Sequence, residues 1–253
     1  MEFDLIQIII ICGLVFLGGF VDSIAGGGGL ITLPAYVLAG VPMHMALGSN
    51  KFSSTFGTAF SAFNFLRNGK VYIKAIPISV VMALGGSAAG AFVALMVDGY
   101  VLRWILIIMI PLIATIVLVK KNFGLQNNIH TLQQSVIIVG AGIAALVIGF
   151  YDGFFGPGTG TFLILIFTVF LRFDLVTANG NAKIINLSSN VGSLITFLIN
   201  EQVVFALAIP AAIFGIAGNV LGSSLAIKIG PKIIRPILIA VLLLLLINLI
   251  IAN

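Results

Sequence analysis

The stretch Gly19-Phe20-Val21-Asp22-Ser23-Ile24-Ala25-Gly26-Gly27-Gly28 returns later in the chain as Gly149-Phe150-Tyr151-Asp152-Gly153-Phe154-Phe155-Gly156-Pro157-Gly158. Each copy is followed by a second matching block, Gly48-Ser49-Asn50-Lys51 and Gly180-Asn181-Ala182-Lys183. The correspondence continues outward: Phe65-Leu66-Arg67-Asn68 matches Phe197-Leu198-Ile199-Asn200, and Gly86-x-x-x-Gly90 matches Gly218-x-x-x-Gly222. The chain is a duplication, and its buried charges stand at equivalent points of the two halves. That pattern points to a transporter whose site lies where the repeats meet. The glycine pairs sit on one helix face and read as close helix packing.

Of the 253 residues 60% are hydrophobic and 8% charged, against about 25% charged in a soluble domain. Several apolar runs approach the roughly 20 residues that span a bilayer. They are continuous rather than alternating, which excludes an outer-membrane barrel. The fold class is therefore an all-α polytopic membrane protein. The net charge of +5 fits the basic loop excess of an inner-membrane protein and gives no sign of nucleic acid. The single cysteine, Cys12, lies in an apolar run and reads as a packed thiol. His44 and His130 have no cluster of ligands around them, so no metal or other cofactor is expected. Glu2 and Asp4 precede the first apolar run without a basic residue, which reads as a retained first helix rather than a signal peptide.

Each half reads as five helical segments: residues 5–22, 28–41, 44–67, 72–97 and 101–120, then 135–152, 158–171, 175–199, 203–227 and 233–251. Residues 1–120 form the first repeat, 121–134 a polar linker, and 135–253 the second repeat. The second segment of each half would reach only about 21 Å at 1.5 Å per residue, so it either crosses at a thin point or re-enters beside its predecessor. Arg67, Lys70 and Lys74 mark one cytoplasmic loop, while the equivalent loop of the second half holds Glu201. Lys228, Lys232 and Arg235 mark another, whose first-half equivalent balances Asp98 against Arg103. Equivalent loops thus prefer opposite sides, and the halves are expected to be inverted relative to one another. Lys120 and Lys121 place the linker in the cytoplasm, with both termini outside.

Four charges lie at membrane depth: Asp22, Lys51, Asp152 and Lys183. A charge there needs a partner or a wet cavity. Structural pairing within each half, Asp22 with Lys51 and Asp152 with Lys183, is one reading. The other gives the lysines to an anion and leaves Asp22 and Asp152 to orient, pair or discharge them. Ser54, with Thr58 and Ser61, follows Lys51 at helical spacing, and Asn186, with Asn190 and Ser193, follows Lys183. Asn50 and Asn181 lie beside the lysines. Amides and hydroxyls beside a buried cation suit an oxyanion. Gly26, Gly27 and Gly28, and Gly156, Gly158 and Thr159 around Pro157, are poor helix interior. Residues 22–29 and 152–160 are expected to be unwound and to meet near the centre. The helix after each break would then offer backbone N–H groups and a positive dipole end to an anion. The glycine block lacks the Gly-Lys-Ser/Thr of a P-loop.

At these residues the chain resembles the TauE/SafE sulfite exporter family, also called TSUP. The carrying features are Asp22-Ser-Ile-Ala-Gly-Gly-Gly-Gly-Leu-Ile-Thr-Leu-Pro34, Ala46-Leu-Gly-Ser-Asn-Lys51, Gly149-Phe-Tyr-Asp-Gly-Phe-Phe-Gly-Pro-Gly-Thr-Gly160 and Asn181-Ala-Lys183. The resemblance spans nearly the whole chain. It implies an inner-membrane permease for sulfite, organosulfonates or related small sulfur oxyanions. No nucleotide-binding motif is present, so the expected drive is a gradient of the substrate or of a coupling ion, proton or sodium. A passive anion channel shares these features. A membrane-embedded aspartyl enzyme is disfavoured, because Tyr151-Asp152 finds its partner Asp22 after Phe20-Val21 rather than a Gly-x-Gly stretch.

Overall fold

The computed structural model describes residues 3–98, 100, 101, 104, 127–237 and 240. Eight α-helices are described: α1 (Leu5–Ala25), α2 (Gly29–Leu38), α3 (Met43–Arg67), α4 (Ile76–Met96), α5 (Gln134–Phe154), α6 (Thr159–Val169), α7 (Leu175–Ile199) and α8 (Phe205–Ile229). The described residues contain no strand. The fifth segments expected at 101–120 and 233–251 lie largely outside the described residues, as does 121–126 of the linker. Among the described residues five stretches are long and apolar enough to cross a membrane: α1, residues 73–96 including α4, α5, α7 and α8. At 25 residues α3 equals α7 in length, but Lys51 and its Ser/Thr/Asn stripe make it too polar for that group.

The surface is apolar, and the interior sets polar and charged residues among two apolar core clusters. Leu5, Ile9, Phe63, Ile143, Ile199 and Ile213 are exposed, whereas Lys51, Ser61, Lys183, Asn190 and Ser193 are buried. Lipid solvates the first set, and every polar group in the interior must find a protein partner or water. Helices approach through the paired glycines. Gly86 and Gly90 of α4 face the carbonyls of Leu146 and Phe150 in α5, and Gly218 and Gly222 of α8 face those of Phe16 and Phe20 in α1. A methyl group at any of these four would drive into backbone.

Those contacts are the same contact made twice, with the halves exchanged. The same holds elsewhere. Gly48 of α3 faces the Gln202 carbonyl, and Gly180 of α7 faces the Lys70 carbonyl. The beginning of each helix thus lies beside the end of the other, so α3 and α7 run antiparallel. The Val204 N–H donates to Ser49 Oγ (2.9 Å) and the Tyr72 N–H to Asn181 Oδ1 (3.2 Å). Further along, Asn219 lies against Gly57 and Ser87 against Gly192, which makes α8 parallel to α3 and α4 parallel to α7.

Helix α1 is also parallel to α8, since Phe16 and Phe20 meet Gly218 and Gly222 in the same order. With α1 and α3 pointing the same way, the ten residues of α2 must carry the chain back between them. The chain therefore reverses at the break between α1 and α2, as either a short crossing or a re-entrant hairpin requires. The eleven residues of α6 do the same between α5 and α7.

The breaks are shorter than expected. Helix α1 continues through Asp22 to Ala25, and α5 continues through Asp152 to Phe154. Only residues 26–28 and 155–158 are left out of helix. Gly26 and Gly156 take positive φ angles of 80° and 100°, which a side chain would strain. The breaks do meet: the Thr161 N–H donates to the Gly26 carbonyl (3.3 Å), and the backbones of Gly26 and Gly160 touch.

Candidate functional site

The four buried charges pair across the halves, not within them. Lys51 Nζ of α3 lies 2.7 Å from Asp152 of α5, and Lys183 Nζ of α7 lies 2.7 Å from Asp22 of α1. The same-half pairing, one of the two readings of the sequence, does not form, and the cause is geometric. Gly19 and Gly57 both lie against the Asn219 amide, so they share a level. Asp22 is three residues beyond that level on α1 and Lys51 six residues before it on the parallel α3. At 1.5 Å per residue they are about 13 Å apart along the axis. The antiparallel second half brings Asp152 down to Lys51 and Lys183 up to Asp22.

The two pairs have different surroundings. Asp152 also accepts from the Thr159 hydroxyl (2.8 Å at Oδ1) and from the Ser189 hydroxyl at Oδ2. Asp22 has Lys183 and one long bond from the Gly28 N–H (3.3 Å), and it is 16% exposed. Lys183 is fully buried on Asp22, whereas Lys51 also donates to Asn190 Oδ1 (3.0 Å).

A cavity of about 40 Å³ opens beside Lys51 rather than Lys183. Of the residues singled out from sequence, Asp22, Gly26, Gly28, Asn50 and Lys51 line it. So do Ser54, Asp152, Gly156 and Asn186. Gly27, Gly158, Thr159, Asn181 and Lys183 do not. Asn181 instead holds the Tyr72 N–H and the Thr177 carbonyl (2.8 Å), fixing the turn into α4. The backbone donors expected at the start of α2 are partly taken, since the Gly26 N–H bonds the Asp22 carbonyl (2.7 Å) and the Gly28 N–H bonds the Asp22 carboxylate. The protein's own carboxylate occupies that helix end.

The two halves contribute unequally to this cavity. Gly18, Asn50 and Ser53 line the cavity, and their second-half counterparts are Ile148, Ala182 and Ile185. Bulk and apolarity have replaced space and hydrogen bonding there.

Hydrogen bonds orient the amides. Asn190 gives its oxygen to Lys51, so its Nδ2 donates to Asn186 Oδ1 (2.6 Å) and leaves Asn186 Nδ2 over. Asn50 Oδ1 accepts from the Thr32 hydroxyl (2.6 Å), which leaves Asn50 Nδ2 over. Neither nitrogen has an acceptor among the described residues. With Lys51 and the Ser54 hydroxyl they make a donor-rich wall. Asn219, absent from the sequence-based set, lines the opposite stretch of the cavity. A lone amide beside the Gly218-x-x-x-Gly222 pair of an apolar helix was the available signal. Among the described residues no cluster of His, Cys, Asp and Glu could hold a metal ion.

A helical membrane bundle with buried lysine–aspartate pairs around a polar internal cavity is the architecture of a transport protein. The chain belongs to the sulfite exporter TauE/SafE family, whose sequence model matches residues 11–249. It is 36% identical to a Sinorhizobium sp. protein named probable membrane transporter protein ORF9, over 89% of this chain and 85% of that one. It is 35% identical to the probable membrane transporter protein YfcA of Escherichia coli K12, over 89% and 82%. A probable membrane transporter protein of Haemophilus influenzae is 34% identical over 93% and 91%. No solved structure matches the chain. The chain is thus a multi-pass membrane transporter of this family.

Proposed function

We propose that the protein carries a small sulfur-containing oxyanion, such as sulfite or a compact organosulfonate, bound at Lys51 in the cavity between the halves. The observation that carries this reading is the donor wall: a buried ammonium with Asn50 Nδ2 and Asn186 Nδ2 left without acceptors beside it. An oxyanion with several lone pairs satisfies such a set, and each charge-assisted bond is about twice as strong as a neutral one. The volume suits the size, since about 40 Å³ holds roughly three waters. The incoming anion competes with Asp152 for Lys51. A carboxylate released from its lysine takes up a proton or a sodium ion, which is the route to coupling.

The antiparallel α3 and α7 support an inverted repeat with its two-fold axis in the membrane plane. Because α3 and α8 are parallel, Arg67, Lys70, Lys228 and Lys232 lie at or just beyond helix ends on the same side. The positive-inside rule makes that side cytoplasmic in an inner membrane. The start of α1 would then lie outside and the linker inside, and a crossing segment at 233–251 would put the C-terminus outside.

Reconstituted vesicles test the substrate class. Flux of sulfite, thiosulfate and short sulfonates should saturate and respond to a proton or sodium gradient. Equal transport of a small carboxylate, or flux linear in concentration, contradicts the reading; the latter is a passive channel's behaviour.

A further inference from the structure

Three buried side-chain atoms among the described residues have no hydrogen-bond partner: Ser61 Oγ, Asn179 Oδ1 and Asn219 Oδ1. Two of them lie on one seam, where α3 packs along α8. The seam begins at the cavity, whose wall includes Thr58 and Asn219. The Asn219 amide is fixed by its Nδ2, which donates to the Gly215 carbonyl (3.0 Å) between Gly19 and Gly57, so the oxygen is the atom left over. One helical turn beyond Thr58 comes Ser61, completely buried. Another turn on, Asn64 Nδ2 donates to Ser223 Oγ (2.9 Å) and Ser224 Oγ (3.1 Å). The seam ends at Arg67, with Lys228 at the last turn of α8.

The duplication supplies an internal control. The equivalent seam, α7 along α4, has Ser193 for Ser61, Ser87 for Asn219 and Ala91 for Ser223. Its hydroxyls are all satisfied within their own helices: Ser193 on the Ser189 carbonyl (2.6 Å), Thr196 on Gly192 (3.2 Å) and Ser87 on Leu84 (3.2 Å). It leads towards Glu201 and Asp98 rather than to bases. One seam carries orphaned polar atoms and a basic mouth; its twin is closed with alanine and internal bonds.

An orphaned buried hydroxyl or amide is costly unless water reaches it in some state of the molecule. We propose that the α3–α8 seam is the hydrated route joining the central cavity to the Arg67 end of the protein, and that the α4–α7 seam stays closed. Water and the carried anion exchange along Asn219, Ser61 and Asn64, drawn by the basic residues at the mouth. The route extends the cavity reading but is tested without any substrate, so its failure leaves the identity of the anion open.

The test is thiol accessibility in the full-length protein in native membrane vesicles, with Cys12→Ser removing the lone cysteine. Ser61→Cys and its repeat partner Ser193→Cys are each exposed to a membrane-impermeant maleimide from either face. A maleimide needs a thiolate in contact with water. Ser61→Cys should react at least about tenfold faster than Ser193→Cys, and only from the face that carries Arg67. Ser223→Cys reads the same route should the Ser61 variant fail to insert. Equal rates at Ser61 and Ser193, or labelling of Ser61→Cys and Ser223→Cys from the opposite face, overturn the proposal.

Discussion

Removing Asp22 should injure this protein through Lys183, a residue in the other half. Lys183 Nζ is fully buried and its described partner is Asp22, at 2.7 Å. At that distance the direct attraction is about 6 kcal/mol for an effective dielectric constant of 20. Desolvation offsets much of it, but deleting one partner strands the other, and such losses run to about 3–5 kcal/mol. Asp22→Ala should fall at the upper end, because Lys183 is left with no described acceptor. Lys51→Ala should fall at the lower end, because Asp152 keeps the Thr159 and Ser189 hydroxyls. The decisive comparison is rescue. Adding Lys183→Met to Asp22→Ala removes the stranded charge and should restore about 2–3 kcal/mol, an interaction energy typical of contacting residues. Adding Lys51→Met should not restore stability. Unfolding in detergent or bilayer, followed by a steric or thermal assay, reads all four proteins. Rescue by Lys51→Met but not by Lys183→Met would refute the crossed pairing and the level argument behind it.

Gly26→Ala should reduce folded yield sharply, since a methyl there meets Gly160 backbone at φ 80°, whereas Gly40→Ala at φ 82° in open space should lose only about 1–2 kcal/mol; thermal stability of the pair separates the clash from the backbone strain. Gly222→Leu should disrupt α1 against α8 and leave little monodisperse protein, while Gly85→Leu, which meets no neighbouring atom, should behave as wild type on size exclusion. Asn186→Ala should weaken anion binding by about tenfold or more, the loss of one hydrogen bond to a charged ligand, and should also lower stability by about 1–3 kcal/mol by stranding Asn190 Nδ2. Asn181→Ala should lower stability by about 1 kcal/mol through the Tyr72 N–H while leaving affinity intact.

The fold was legible because lipid imposes long apolar segments and because the chain states its plan twice. Segments 44–67 and 175–199 agree with α3 and α7 to within a residue at each end. The short helices α2 and α6 were legible as segments, but a helix of ten or eleven residues has the same composition whether it crosses or returns. The charges were found, but only a same-half pairing was considered for them, since sequence order says nothing about the level at which parallel and antiparallel helices align. Lys183 and Asn181 repeat the Lys51 region in sequence yet stand apart from the cavity. What distinguishes the two sides is the neighbouring Ala182, Ile185 and Ile148, ordinary apolar residues that gain meaning only once the halves are superposed. Asn219 was missed because one amide on an apolar helix carries no spacing signal.

The central claim is that Lys51 holds the transported anion. Its most direct test is equilibrium binding of radiolabelled sulfite to purified wild-type, Lys51→Met and Lys183→Met proteins, each first shown to be folded and monodisperse. The account predicts saturable binding to wild type, its loss in Lys51→Met by at least about 1.4–3 kcal/mol, or tenfold and more, and near-wild-type affinity in folded Lys183→Met. Wild-type affinity in Lys51→Met would contradict the account and leave the lysine–aspartate pairs as structural clamps between the two halves.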